Sequence, residues 1–480
     1  MKSFLQIAIP HKDILEGRLT MDVFAADLWK VIKGDAPDEY QNKEAFFRKT
    51  FITKGLKNLL DIAEKRLKGE GGDPVIQLQT PFGGGKTHAL IALYHKAKEW
   101  NANVVAIDGT VLDPKDIALW EEIEKQLTGK ISTLKGRTSP GREKIEAILS
   151  VKQPVLILMD EILEFTTKAA GIKVGDSNLA SQTLAFLQEL TASVSTLSQT
   201  LLVITLPSSL LEHYDENAEK FYQQLQKIAG RVEKIYTPVE DDEVSEVIRR
   251  RLFQKIDENS AREIIEEFLE YAEREQILPE DKPIYREKFL KSYPFQPEVI
   301  DVLYKRWGSL STFQRTRGVL RILALVVYSL QNSNIPFIRL CDFKLENEEI
   351  KRELIKHIEA KYDSVIYADI TSSDSGSKRV DKSLGDAYRP FSFGTKIATA
   401  IFMYSFSGGP ERGASTQDLK LSCAEISVPS SIVADALTML KETLFYLSDK
   451  GNYFYKEPNL NRVILTKMET IDQNNLIEEE

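Results

Sequence analysis

An α/β core, in which a parallel sheet carries helices on both faces, is the fold class that this 480-residue sequence predicts, with a helical region following it. Three observations carry that prediction. An apolar segment runs into a glycine-rich turn and a helix between Val75 and Leu90, and a second apolar segment ends in two acids between Pro154 and Glu161. Further apolar segments recur at a spacing that leaves room for a helical crossover each time, as parallel strands require.

The first of these segments reads VIQLQTPFGGGKTHAL. Consecutive Gly83, Gly84 and Gly85 let backbone N–H groups converge on phosphate oxygens where any Cβ would intrude, and the helix that follows offers the positive end of its dipole. Lys86 supplies a compact charge for the β- and γ-phosphates, and the Thr87 hydroxyl a Mg²⁺ ligand. Thr80, Pro81, Phe82 and His88 complete the stretch expected to line the nucleotide, with ATP and Mg²⁺ as the implied ligands. The pattern departs from G-x-x-x-x-G-K-[ST] at its first position, where Thr80 enters the loop with a β-branched side chain.

The second segment, PVLILMDE, has the composition of a strand buried on both faces. Two acids at its end are costly unless they stand at the carboxyl edge of the sheet, where such folds place their ligands. Asp160 is expected to hold Mg²⁺ through its water and Glu161 to polarise the attacking water as general base. A strand end capped by solvated acids is the plain alternative, disfavoured by the companion phosphate loop. The predicted strands are Pro74 to Thr80, Val104 to Gly109, Val155 to Glu161, Leu201 to Pro207 and Val232 to Pro238.

A lysine-bearing loop after the first strand, an acidic pair on the third and a polar end to the fourth resemble the AAA+ and STAND P-loop ATPases. The resemblance implies that the fourth strand lies between the first and third and presents a sensor to the γ-phosphate. Thr205 and Ser208 are the candidates, although Ser208 and Ser209 also read as a helix cap. It also implies a nucleotide-directed arginine at Arg231, acting across a subunit boundary of a homo-oligomer or within one chain; a surface arginine entering a strand is the alternative. In FQRTRGVLRIL, Arg317 matches the second sensor of an AAA+ lid, with Arg315 and Arg321 as alternatives. Leu320, Leu323, Ala324 and Val327 give that segment a helical stripe. Phe46, Phe47, Thr50 and Phe51 lie in amino-terminal helices that precede the first strand, as adenine-flanking elements do in AAA+ proteins.

Together QLQTPFGGGKTHALIALYH, PVLILMDEILEF, LPSS, SYPFQPEVI and FQRTRGVLRILA resemble the ATPases of "domain of unknown function 499", from about residue 9 to residue 461. Members are usually encoded in phage-defence islands beside methyltransferases, helicases or nucleases, which the resemblance implies as partners. Family members commonly continue beyond this length, so this chain reads as an amino-terminal piece or a short member.

Composition sets limits. Hydrophobic residues make up 42% and charged residues 28%, as in a soluble globular protein. Cys341 and Cys423 are too few for a disulfide framework, and neither a targeting signal nor an apolar run of membrane-spanning length is present, so a cytoplasmic location is expected. A net charge of −9 argues against coating nucleic acid through bulk charge.

The expected organisation is a helical segment at 1–73 leading into the core, the ATPase core at 74–238, an all-helical lid at 239–340, a helix and polar linker at 341–390, a winged-helix-like domain at 391–465 and an acidic tail at 466–480. Thr371 to Asp386 is read as a mobile loop. In the winged-helix-like domain, helices at Gly394 to Phe406, Ser415 to Ala424 and Ser430 to Thr443 precede two aromatic strands around an Asp449 to Asn452 turn. Its third helix offers only Lys441 as a cation beside Asp435 and Glu442, which favours a structural or partner-docking wing over a DNA reader. His88 and His95 share a helix face without metal-spaced partners and read as packing residues, His88 the nearer to the nucleotide. The functional reading is an ATPase that remodels or switches within a DNA-defence complex. Its rival is a slowly hydrolysing nucleotide-dependent scaffold.

Overall fold

The computed structural model describes residues 2–19, 24–80, 84–207, 216–229, 235–448, 450–460 and 464. Pro81, Phe82, Gly83, Ser208 and Arg231 lie outside them. The chain forms two compact units, Thr20–Val247 and Met1–Leu19 with Ile248–Glu480.

The first unit is a three-layer α/β/α arrangement. Its sheet contains β1 (Val75–Thr80), β2 (Asn103–Asp108), β3 (Val155–Asp160), β4 (Thr200–Pro207) and β5 (Ile235–Tyr236) in the order β2-β3-β4-β1-β5, every neighbouring pair parallel. Alternation along the strands sorts side chains to two cores. Ile76, Leu78, Ala106, Leu156, Leu158, Leu201 and Val203 face α1 (Lys54–Lys68) and α2 (Lys86–Ala97). Val105, Ile107, Ile157, Met159, Leu202 and Ile204 face α3 (Leu119–Thr128), α4 (Arg142–Val151), α5 (Ile162–Ala169) and α6 (Leu179–Thr196). With both faces covered, the strands can be apolar throughout, which is how β3 comes to be buried at every position. Register aligns Asp108 with Asp160 and Thr80 with Pro207, so the carboxyl ends of four strands meet at one edge.

The second unit differs from the expected organisation in three ways. Residues 2–19 do not lead into the core: Ala8–Pro10 pairs antiparallel with Phe253–Ile256, and that ribbon means the lid region is not all-helical. The lid and carboxyl-terminal helices also pack as one unit, tied by Trp307 Nε1 to the Met403 carbonyl at 2.8 Å and Tyr271 Oη to the Val428 carbonyl at 2.8 Å. Finally, the supposed mobile loop contains a helix, Gly376–Ser383. Its Val380 is buried, Ser375 and Ser377 bond the Ile370 carbonyl, and Asp381 caps the amino end of the helix Phe393–Tyr404 through the Gly394 and Thr395 N–H groups. Polar composition there reflects satisfied internal hydrogen bonds.

Helices Phe393–Tyr404, Thr416–Cys423 and Ser431–Thr443 follow in the expected order. Among the described residues, in place of two aromatic strands, an antiparallel bridge joins Leu447 and Phe454, flanked by bonds from Ser448 N to the Tyr453 carbonyl and Tyr455 N to the Tyr446 carbonyl. Asp369 holds this hairpin by accepting the Phe445 and Tyr446 N–H groups at 3.0 and 2.8 Å.

Candidate nucleotide site

The site lies at the carboxyl edge of the sheet and begins with backbone geometry. Gly85 precedes α2 in the left-handed region at φ 86°, a conformation glycine adopts without the Cβ penalty. Lys86 opens the helix and is nearly buried, and its Nζ donates to the Thr80 carbonyl at 3.1 Å. Thr87 Oγ1 donates to Asp160 Oδ2 at 2.7 Å, so the glycine-rich turn and the acidic strand end, 73 positions apart, meet directly.

Thr205 on β4 completes the arrangement. Its hydroxyl donates to Asp160 Oδ1 at 2.6 Å and accepts the Glu161 N–H at 3.1 Å. Glu161 itself is left-handed at φ 50°, a costly conformation for a side chain with Cβ. The Thr205 bond and the opposing loop hold it there. Gly109 donates its N–H to the Asp160 carbonyl at 2.9 Å, and a Cβ on Gly109 would come within 2.2 Å of the Glu161 carbonyl oxygen. Only glycine allows that approach.

Asp108, at the end of β2, is a third acid that the sequence reading passed over. It is buried, and its Oδ1 accepts the Thr110 N–H and hydroxyl at 2.8 and 2.6 Å. The signal was present in VVAIDG, an apolar strand ending in an acid and a glycine like its neighbour β3. Burial pushes Asp160 above the usual carboxylate range, against the Thr205 and Thr87 hydrogen bonds. Burial and then the neighbouring Asp160 charge push Glu161 up to about 7. Three poorly compensated carboxylates beside a buried lysine make an edge suited to a cation and a polyanion bound together.

The His88 ring stacks on Phe46 at 4.5 Å between centroids, and its Nε2 shares a hydrogen bond with Thr50 Oγ1 at 2.9 Å, so it fastens the amino-terminal helices to α2. Its neighbour His95 is held by the Tyr40 carbonyl at 2.8 Å. Arg321 is engaged by Glu353 Oε2 and the Leu19 carbonyl, which makes it part of the second unit's framework. Arg317 lies on the same helix, Arg315–Ser329, with a buried Nε that has no hydrogen-bond partner among the described residues.

The chain matches the DUF499 N-terminal domain over residues 5–135 and 118–241, and the DUF499 second domain over residues 239–417. It belongs to the DUF499 family. No curated protein matches this DUF499 chain. Among solved structures, AMPPCP-bound DnaA from Aquifex aeolicus is similar at 14% identity and a TM-score of 0.30, covering 85% of this chain and 92% of that one, a likeness too slight to bear on its chemistry. No helix among the described residues is long and apolar enough to cross a membrane.

Proposed function

We propose that this DUF499 chain binds MgATP at the edge formed by Gly85, Lys86, Thr87 and Asp160 and hydrolyses it with Glu161 as general base. The observation that carries the reading is the 2.7 Å bond between Thr87 Oγ1 and Asp160 Oδ2 at the mouth of the glycine turn. A hydroxyl and a carboxylate so placed are the hard oxygen donors that Mg²⁺ takes alongside water and phosphate. When bound, the ion would neutralise charge on the transferring phosphoryl group.

The chain's own residues divide the remaining work. Lys86, released from the Thr80 carbonyl, pairs with the phosphates. Thr205 holds Asp160 and fixes the backbone of Glu161, so that the carboxylate of Glu161 is aimed from a constrained position at an attacking water. Arg231 is the guanidinium group proposed to reach the γ-phosphate, across a subunit boundary of a homo-oligomer or within one chain. Family membership supports a role for turnover in a phage-defence complex with methyltransferase, helicase or nuclease partners, in which ATP drives remodelling or switching.

Phosphate release under steady state with MgATP tests the reading. Turnover that depends on Mg²⁺ is expected. Tight MgATP binding with no release over many hours would transfer the chain to the scaffold reading, and absence of binding in a calorimetric titration would end both.

A further inference from the structure

We propose that the loop from Lys130 to Arg137, together with Lys115, is a docking surface for the phosphate backbone of duplex DNA, independent of the nucleotide chemistry above. Although the chain carries a net charge of −9, residues 125–144 contain six cations and the single acid Glu143. Charge runs of this kind are usually solvated and mobile. This one is built.

The carboxylate of Glu124, itself buried, accepts the N–H groups of Ser132, Thr133 and Leu134 at 3.0, 2.7 and 2.8 Å and the Ser132 hydroxyl at 2.9 Å. Glu121 accepts the Gly136 N–H at 2.9 Å, and Trp120 Nε1 donates to the Gly136 carbonyl at 2.9 Å. Arg137 then donates to the carbonyls of Pro114, at 2.9 Å, and Lys115, which brings the loop after β2 alongside. The backbone is therefore wound around two inward-facing acids, and Leu134 is buried beneath it.

Lys130 and Lys135 stand outside on this loop, and Lys115 stands between the exposed Asp113 and Asp116 on the neighbouring one. Lys115, Lys130 and Lys135 are exposed and form no ion pair among the described residues, unlike Lys68 with Glu64, Lys96 with Glu99 and Lys168 with Glu164. A fixed backbone presenting free ammonium groups lowers the ordering cost of meeting a regular array of phosphates. Lysines contact phosphate as point charges and read no base, so binding is expected to be independent of sequence. No aromatic residue lies between Lys130 and Arg137 to stack a base, which favours a duplex over a single strand. The carboxyl-terminal hairpin is a poorer candidate, because Lys456 is already paired with Glu359 at 2.9 Å.

Fluorescence anisotropy of a labelled duplex of arbitrary sequence, titrated at low salt with the full chain, tests the proposal. Binding with a log–log salt slope of about −3 is expected for three phosphate contacts. Changing Lys115, Lys130 and Lys135 together to Glu is expected to weaken it at least tenfold, with thermal melting unchanged. The corresponding Lys→Arg variant should retain it, and Lys441→Glu with Lys450→Glu should leave it as in the wild type. Absence of wild-type binding, unaltered binding in the glutamate variant, or loss in the arginine variant would overturn the proposal. So would equal affinity for single-stranded DNA or for polyglutamate.

Discussion

Glu124 and Asp160 are both nearly inaccessible carboxylates of the same α/β unit, 1% and 2% exposed, yet their surroundings drive ionisation in opposite directions. Burial alone would raise both. At Glu124, the Thr133, Leu134 and Ser132 N–H groups and the Ser132 hydroxyl outweigh burial and hold the carboxyl at about 2. At Asp160, hydroxyls from Thr205 and Thr87 fail to offset burial, and Glu161 beside it is pushed up to about 7. A carboxylate surrounded by backbone donors fastens the fold. One held by two hydroxyls beside further acids has its charged form poorly stabilised, as a carboxylate awaiting a cation would.

The contrast predicts a double dissociation between function and stability. The largest effect should come from Glu161→Gln, which keeps the side-chain shape without a base: MgATP affinity is retained while phosphate release falls about a thousandfold. Normal turnover would remove Glu161 from the mechanism. Lys86→Ala should weaken MgATP binding about a hundredfold, since no other described cation opens the helix at the glycine turn, and calorimetry would read this as a loss of about 2.7 kcal/mol. At the other site, Glu124→Gln should destabilise the fold by about 2 kcal/mol, because a neutral amide cannot replace a charge that accepts four hydrogen bonds, while MgATP affinity stays unchanged. Equal loss of nucleotide binding in this variant would break the distinction between the two sites.

The smallest effect is in the pH dependence of melting without nucleotide. Glu161 has a folded pKa of about 7, above its ordinary 4.5, so the fold favours its protonated form. Its contribution is present at low pH and is lost as pH rises from about 5 to 7. Glu124, depressed to about 2, contributes above pH 4.5 and is lost as pH falls toward 2. Removing the first group by Glu161→Gln should flatten the neutral side of the stability curve, and Glu124→Gln the acid side. Curves that stay parallel to the wild type would sever these residues from the titration.

Sequence alone determined the parts of the proposed site that lie on contiguous chain. Gly85, Lys86 and Thr87 belong to the turn and helix they themselves build, and an apolar run such as Val155–Met159 can be stable only inside a covered sheet, so its terminal Asp160 and Glu161 had to stand at an edge. Tertiary structure decided what depends on register and packing between distant segments. Asp108 joins the acids only because β2 aligns with β3, Thr205 is tied to both Asp160 and Glu161 by the position of β4, and Gly109 is required by a carbonyl 52 positions away. His88 turns to Phe46 and Thr50 because the amino-terminal helices cover that side of α2. The helix at Gly376–Ser383 and the pairing of Ala8–Pro10 with Phe253–Ile256 were hidden for the same reason. Composition records how polar a segment is, but whether its polar groups face water or one another is settled by the partners that folding brings to them.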